Sequence, residues 1–329
     1  MSRAQLTSTV EQNSAGAAAP VVAGKNFVIN GGFDIWQRGT SFSSAGYTSD
    51  RWSGSNSTGT LSITRSTDVP SSPKFNYSLS LANTSGTYPQ IAQRIEAANS
   101  TLLAGQTVTL SFYAKSTAGS NSIYWISSYA GSADNWSSPT NDQSGAVAIT
   151  SSWARYSLTF AASASATNGY QILIGRQDAS STTSTTLVTG IQLELGLVAT
   201  PFSRAGGTLQ GELALCQRYY IRESAVGSYQ SPMIGTTATT TAVQTFDFLP
   251  VPMRVVPTSV DIGGSWQLIG MSANIGPSLT NSSAGINTFR SIPTVISLDI
   301  TCSSTSSFVV GYLRASNDTT AYIGYSAEL

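Results

Sequence analysis

The sequence predicts an all-β chain of the sandwich or jelly-roll type. Two observations support this. Short segments alternate apolar and polar residues with a period of two, and Gly, Ser, Asn or Pro bounds each of them. Residues 107–115 are typical, because Val108, Leu110, Phe112 and Ala114 would face one way and the residues between them the other. The same alternation recurs at Leu61/Ile63, Leu79/Leu81, Ile191/Leu193/Leu195 and Ile296/Leu298/Ile300.

The strand patterns divide into two sets. The first 25 residues are rich in Ala, Ser, Thr and Gly without a sustained period, which predicts a flexible arm. Strand patterns fill residues 26–205, which we interpret as a first β-domain. They resume from Val243, so residues 223–329 predict a smaller C-terminal β-sandwich. At 329 residues the chain is long enough for about two such domains.

A short helix is predicted between the two domains, at residues 206–222. Its apolar residues Leu209, Leu213, Cys216 and Tyr220 recur at intervals that line one helix face. Two glycines precede them and form a flexible joint. We therefore place the domain boundary here and expect the helix to link the domains.

Composition argues against several classes of function. Lys+Arg and Asp+Glu number 16 each, so no net charge attracts nucleic acid or an acidic membrane surface. The absence of histidine removes Ser-His-Asp and Cys-His catalysis and the commonest metal ligand. No nucleotide or calcium-loop motif, no apolar run of about 18 residues and no signal peptide is visible. We expect a binding and assembly protein, without membrane insertion, rather than an enzyme.

The two cysteines predict buried free thiols. Cys216 and Cys302 lie far apart in the sequence and belong to no CxxC motif. A disulfide framework or a zinc ribbon would need closer or more numerous cysteines.

A loop predicted between Ser127 and Ser144 is the candidate contact site. It carries aromatic rings beside amide and carboxylate groups in a Gly/Ser-rich setting. This combination suits sugars, because the apolar sugar face stacks on a ring and the hydroxyls bond to polar groups. A protein interface uses the same residue types, so glycan and partner both stay open. The residues are Tyr129, Asp134, Asn135, Trp136, Asn141 and Asp142.

The run Asp50-Arg51-Trp52 predicts a structural corner rather than a ligand site. In this interpretation the arginine packs on the indole and the aspartate caps a turn.

Several further runs, spread in order along the chain, carry a resemblance. They are KNFVINGGFDIWQRG at 25–39, YTSDRW at 47–52, LSFYAK at 110–115, WARY at 153–156, GIQLELG at 190–196, ATPF at 199–202, ELALCQRYY at 212–220, FLPVPMRVVPT at 248–258 and SAEL at 326–329. Together they resemble a family of bacteriophage tail-fibre and virion structural proteins that carry a carbohydrate-binding-module-like jelly roll.

The resemblance implies a galactose-binding-like jelly roll, the linking helix, and a smaller β-sandwich at the tip. It implies a virion component, commonly a homotrimer, on the exterior of the tail or head and made in the host cytoplasm. It implies no catalysis and no cofactor, apart from a possible structural calcium near Asn30 and Glu194. Partners would be other phage virion proteins and a host surface glycan. The arm, with Arg3, Gln5, Leu6 and Val10, would attach the chain to the particle.

Three functions remain open. The first is a short tail fibre whose arm docks on the tail and whose jelly roll or tip contacts host glycans. The second is a head fibre or capsid decoration protein. The third is a glycan-degrading enzyme, because glycoside hydrolysis needs only two carboxylates. We disfavour the enzyme, since Asp34, Asp50 and Glu194 fall within or at the ends of predicted strands, where carboxylates commonly cap turns or pair with arginine.

Overall fold

The first set of strands folds into two antiparallel sheets. The computed structural model describes residues 24–56, 58–72, 74–117, 121–176, 185–230, 233–239, 242–257, 259–270, 278–280, 284–286, 291–301 and 310–329. The strands of this first sandwich are β1 (Ser41–Phe42), β2 (Gly46–Tyr47), β3 (Ser53–Ser55), β4 (Thr58–Ser66), β5 (Ser78–Thr87), β6 (Gln90–Ile95), β7 (Thr107–Ser116), β8 (Asn121–Tyr129), β9 (Thr140–Ile149), β10 (Ala154–Ala161), β11 (Tyr170–Arg176) and β12 (Thr186–Leu195). The order β1-β4-β5-β12-β7-β10 forms the covered sheet, and β2-β3-β6-β11-β8-β9 forms the open sheet.

The core of the first sandwich lies between these sheets. Strand β6 shows the alternation that builds it, because Ile91, Gln93 and Ile95 are buried while Gln90, Ala92 and Arg94 face outwards and are half-buried. Other fully buried residues of this core include Leu61, Ile63, Leu79, Phe112, Ile174 and Leu193.

A segment that follows β12 crosses the outer face of the covered sheet. The Thr109 hydroxyl donates a hydrogen bond to the carbonyl of Gly196 at 2.7 Å. The Gln192 amide donates to the carbonyl of Thr200 at 3.2 Å, and Arg155 donates to the same carbonyl. These contacts satisfy polar groups that burial would otherwise leave unpaired. Thr109 and Gln192 on this face are therefore buried.

Two helices are described. Helix α1 (Ala97–Ser100) packs with two 3-10 turns, Thr101–Leu103 and Ala164–Asn168. Helix α2 (Leu209–Gln217) is the linking helix, and the Thr208 hydroxyl caps it by accepting from the Gly211 amide at 3.0 Å. No described helix is long and apolar enough to cross a membrane.

The predicted apolar face of α2 is partly wrong. The helix ends at Gln217, and Tyr220 begins the next strand instead of continuing the face. Leu209 is 43% exposed, whereas Cys216 is a buried free thiol as predicted. The helix stops early because Tyr219 and Tyr220 pack against arginines of the first sandwich.

The second sandwich is smaller. Its strands are β13 (Tyr220–Ser224), β14 (Met233–Thr239), β15 (Ala242–Phe248), β16 (Ser259–Gly263), β17 (Ser265–Gly270), β18 (Ser278–Thr280), β19 (Ala284–Ile286), β20 (Val295–Thr301), β21 (Val310–Ala315) and β22 (Tyr322–Ser326). The sheet β13-β22-β16 and the sheet β18-β17-β21-β14-β15-β20-β19 share a core that includes Ile221, Val243, Leu298, Leu313 and Ile323.

The predicted fold class is confirmed: two β-sandwiches joined by a short helix. Strands of the second sandwich begin before Val243, and β13 crosses the predicted boundary between residues 222 and 223. The domain limits themselves stay predictions. The arm residues Arg3, Gln5, Leu6 and Val10, together with Cys302, lie outside the described residues.

Runs that carry the family resemblance meet at the junction of the two sandwiches. The Glu212 carboxylate of α2 accepts hydrogen bonds from the backbone amides of Asn30 and Gly206. Arg38 lies 3.5 Å from the centroid of the Tyr220 ring. Glu328, next to the last residue, pairs with Arg38 at 3.3 Å. Motifs far apart in the sequence therefore meet at one interface.

The predicted packing of Arg51 on Trp52 is wrong. The Arg51 guanidinium lies 3.4 Å from the centroid of the Tyr219 ring and forms an ion pair with Glu328. Trp52 packs against Phe33 instead, with ring centroids 5.5 Å apart. Arg51 has a φ of +71°, and this turn directs adjacent side chains to different partners. The run is a structural corner that faces the second sandwich.

Asp50 is fully buried, and we expect its titration to make the stability of the protein depend on pH. Burial raises its pKa to about 6, despite hydrogen bonds from Gln37 and the charge of Arg38. Because the folded state then holds this proton more tightly than the unfolded chain, Asp50 favours folding below about pH 4. This contribution to the free energy of unfolding, about 2–3 kcal/mol, is lost as the pH rises through about 6. Urea titrations of the wild type and of Asp50→Asn should differ in slope between pH 4 and 6, and parallel curves would contradict this.

Candidate functional site

A cleft of about 310 Å³ lies on the outer face of the open sheet. Strand pairing sets its floor, because Ser53 of β3 is opposite Ala92 of β6, which in turn is opposite Leu173 of β11. These small or flat side chains leave a depression between longer ones. The lining residues are Tyr47, Ser53, Ser55, Gln90, Ala92, Arg94, Gln171, Leu173 and Leu329.

One wall of the cleft is built around Arg94. Its Nε donates to Gln171 Oε1 at 3.3 Å, from the directly opposite position on β11. Its Nη1 donates to the main-chain oxygen of Leu329 at 2.5 Å, and the Tyr47 hydroxyl donates to the same oxygen at 2.9 Å. Among the lining residues that the structure describes, Arg94 is the only charged side chain. This wall offers a guanidinium, an amide and a phenol to a ligand.

The other wall is built around Gln90. Its Nε2 donates to Ser55 Oγ at 2.9 Å, and its Oε1 accepts from the Tyr124 hydroxyl. The Tyr124 ring lies over Gly175, where a Cβ atom would come within 2.3 Å of the ring. Tyr88 meets Tyr124 edge-on at 6.1 Å and is 42% exposed. An aromatic pair therefore stands beside polar groups at this side of the cleft.

The phenols at the cleft are neutral hydrogen-bonding groups. Burial, and then the Coulomb interaction with the neighbouring Tyr88 phenol group, raises the pKa of Tyr124 to about 12. Burial, followed by the negative charge of Glu328, also raises the pKa of Tyr47. Neither hydroxyl ionises near neutral pH, so both can donate hydrogen bonds there.

The predicted loop lies next to this cleft but does not line it. It runs only from residue 130 to 139, because Asn141 and Asp142 belong to β9 and Tyr129 ends β8. The Trp136 ring is 9% exposed, and the Arg94 guanidinium lies 5.1 Å from its centroid. Trp136 thus packs behind the Arg94 wall.

The polar residues of the predicted site take part in local hydrogen bonds. Asp134 accepts from the Ala97 amide at 2.8 Å. Asn135 accepts from the Ser137 amide at 3.1 Å. Asn141 pairs with the Ser128 hydroxyl at 3.1 Å, and Asp142 accepts from the Tyr170 hydroxyl at 2.6 Å. These contacts give the side chains structural roles, and their role in glycan or partner contact stays a prediction.

Trp136→Ala is expected to lower the free energy of unfolding by about 2–3 kcal/mol, because a large buried apolar surface is lost. Urea denaturation measures this. A variant with unchanged stability that loses only glycan binding would instead support ring stacking by Trp136.

A calcium ion is predicted near Asn30 and Glu194. In the structure both of these side chains form hydrogen bonds with other groups of the protein. Asn30 donates to the carbonyls of Ile35 and Asp50 at 2.8 and 3.1 Å. Glu194 accepts from the amide and hydroxyl of Thr200. Burial raises the pKa of Glu194, but the hydrogen bonds from Thr200 and Gln192 outweigh burial and leave this pKa below its ordinary value. No group of three or more His, Cys, Asp or Glu side chains suited to a metal occurs in the described part of the chain.

Sequence reasoning missed the cleft, although one signal pointed to it. The segment Gln90–Ile95 alternates so that Gln90 and Arg94 share one face opposite Ile91 and Ile95. Such polar outer positions on a strand usually indicate only solvent.

Comparisons with known proteins find likenesses of structure alone. Neither protein-family profiles nor curated proteins match this chain. The enzymatically active domain of tailspike protein 4 of bacteriophage CBA120 matches with a TM-score of 0.35 and 14% identity, over 52% of this chain and 22% of that one. A structure titled "CBM4 structure and function" matches with a TM-score of 0.36 and 16% identity, over 51% of this chain and 98% of that one. The CBM22-1 xylan-binding domain of Xyn10C from Paenibacillus barcinonensis matches with a TM-score of 0.37 and 13% identity. The match covers 55% of this chain and 100% of that one.

Proposed function

We propose that this chain is a carbohydrate-binding structural protein of a bacteriophage virion, and that the cleft on the open sheet binds host surface glycan. One observation carries the glycan proposal: an accessible sheet face that combines amide, hydroxyl and guanidinium groups with adjacent tyrosine rings. Sugars require this mixture, because their hydroxyls need hydrogen-bond partners and their apolar faces need a ring or flat surface.

The proposed role is binding without catalysis. Hydrolysis of a glycosidic bond commonly uses two carboxylates on either side of the bond. No carboxylate occurs among the described side chains that line the cleft. Incubation with host polysaccharide should release no reducing ends. Release that disappears when a single carboxylate is changed would support the enzyme instead.

Tyr88→Ala tests the cleft as the glycan site. The variant removes an exposed ring that packs against Tyr124, the hydrogen-bond partner of Gln90. One stacking contact is worth about 1 kcal/mol, so the Kd for host polysaccharide should rise about fivefold. Calorimetric titration measures it. Tyr229→Ala is the matched control, because Tyr229 is 54% exposed on the second sandwich. Equal effects of both substitutions would contradict the assignment.

Within the virion, we propose a short tail fibre. The dispersed motifs at residues 25–39, 212–220 and 326–329 support this, together with the arm of residues 1–25 that would attach to the tail. A homotrimer is part of the same proposal. The alternative is a head fibre or capsid decoration protein. Labelled antibodies on intact particles separate them, since the proposal expects signal at the tail vertex and signal over the head would contradict it.

A further inference from the structure

The segment Ser326–Leu329, which we call the latch, joins the second sandwich to the glycan cleft. On the second sandwich, Arg254 Nε donates to the carbonyl of Ala327 at 3.0 Å, and its Nη2 donates to the carbonyl of Glu328 at 3.3 Å. The Ala327 amide donates to the carbonyl of Tyr219 at 2.8 Å. The latch is therefore held on its own side before it reaches the first sandwich.

On the first sandwich, Glu328 is the anchor of the latch. Its side chain is 5% exposed and forms ion pairs with Arg51 and Arg38. Arg51 is itself 1% exposed and donates to the carbonyl of Arg94 at 2.5 Å. Charge-assisted contacts of this kind are short and directional. Glu328 is thus fixed against the strand that carries Arg94.

The residue after Glu328 lines the cleft. The main-chain oxygen of Leu329 accepts from both Arg94 and Tyr47. Because consecutive Cα atoms lie about 3.8 Å apart, the ion pairs of Glu328 hold the backbone directly beside Leu329. The Arg94 wall of the cleft is therefore a joint product of both sandwiches.

We propose that Glu328 is a positioning residue for the cleft, and that the latch couples glycan binding to docking of the second sandwich. This inference rests on the proposed glycan function. If glycan binds more tightly when the latch is docked, then bound glycan must favour docking by the same factor.

Glu328→Gln tests the latch, with Asp34→Asn as the matched control. Asp34 is a carboxylate of similar burial, and it pairs with Arg204 at 2.8 Å rather than with the latch. Without glycan, hydrogen exchange of residues 46–55 and 90–95 should rise about tenfold in Glu328→Gln and stay unchanged in Asp34→Asn. The Kd for host polysaccharide should rise about tenfold in Glu328→Gln only. In the wild type, bound polysaccharide should slow exchange of residues 326–329.

A second variant covers the case in which Glu328→Gln does not fold. Tyr47→Phe removes the hydroxyl that donates to Leu329 and leaves both ion pairs of Glu328 intact. We expect faster exchange of residues 326–329 in this variant.

The outcomes separate the two proposals. A wild type that binds no host polysaccharide overturns the proposed function, whereas the positioning role of Glu328 is judged by exchange in the absence of glycan. Unchanged exchange of the cleft strands in Glu328→Gln, or equal changes in Asp34→Asn, overturns the latch. Unchanged exchange in Tyr47→Phe also counts against it.

Discussion

Trp52→Ala should lower the free energy of unfolding by about 3–5 kcal/mol, the cost typical of an emptied aromatic site in a core. Trp52 is fully buried, and its ring packs on Phe33. Its indole N–H donates to the carbonyl of Asn30 at 3.2 Å, so the substitution also leaves a buried carbonyl without this donor. Urea denaturation at neutral pH measures the loss.

A second tryptophan serves as the control for Trp52. Trp153 is only half-buried, and its indole N–H donates to Asp68, whose side chain is 47% exposed. Trp153→Ala should therefore cost markedly less. Similar losses at both positions would contradict the assignment of Trp52 to the core.

Arg51→Met should lower the free energy of unfolding by about 3–5 kcal/mol, because it leaves the buried Glu328 carboxylate short of a partner. The substitution also removes the guanidinium from the Tyr219 ring. Arg38 still faces Glu328 at 3.3 Å, which places the expected loss toward the lower end of this range.

The double variant Arg51→Met with Glu328→Leu distinguishes lost charge pairing from lost packing. Removing both charges should recover much of the loss, since a buried ion pair replaced by apolar groups is often close to neutral in stability. Chemical denaturation of both single variants and the double variant completes the cycle. Losses that simply add would show that Arg51 and Glu328 do not interact.

The strands were predictable because their signal is local. One buried face imposes a period of two, and the sequence of residues 107–115 displays it. In the structure Thr109 and Ser111 on the other face of this strand are buried as well. The end of α2 was not predictable in this way. Tyr220 continues the helical spacing, yet the contact with Arg38, 182 positions earlier in the chain, places it in a strand.

The cleft was hidden from the sequence for a related reason. Ser53, Ala92 and Leu173 are unremarkable alone, and they become a floor only through the pairing of β3, β6 and β11. The loop attracted attention because Asp134 and Trp136 are chemically conspicuous. In the structure they hydrogen-bond and pack locally. The residue types in the sequence indicated glycan or partner contact, whereas the pairing of strands determined where the cleft lies.

Several of the runs that carry the family resemblance meet at the junction of the two sandwiches. These motifs supply Asn30, Arg38 and Arg51 on one side of the junction, and Glu212 and Glu328 on the other. A mismatch among these buried partners would leave a charge or backbone amide unpaired, which is costly. The motifs therefore mark the junction, and they reach the cleft at Tyr47 and at Leu329 of the latch.

The most direct test of the glycan proposal is a crystal structure of the protein with an oligosaccharide of the host surface polysaccharide. We expect density for sugar rings on the open sheet, between Arg94 and Gln90 and beside Tyr88. Sugar bound only at the loop of residues 130–139, or an empty cleft at saturating oligosaccharide, would contradict the account.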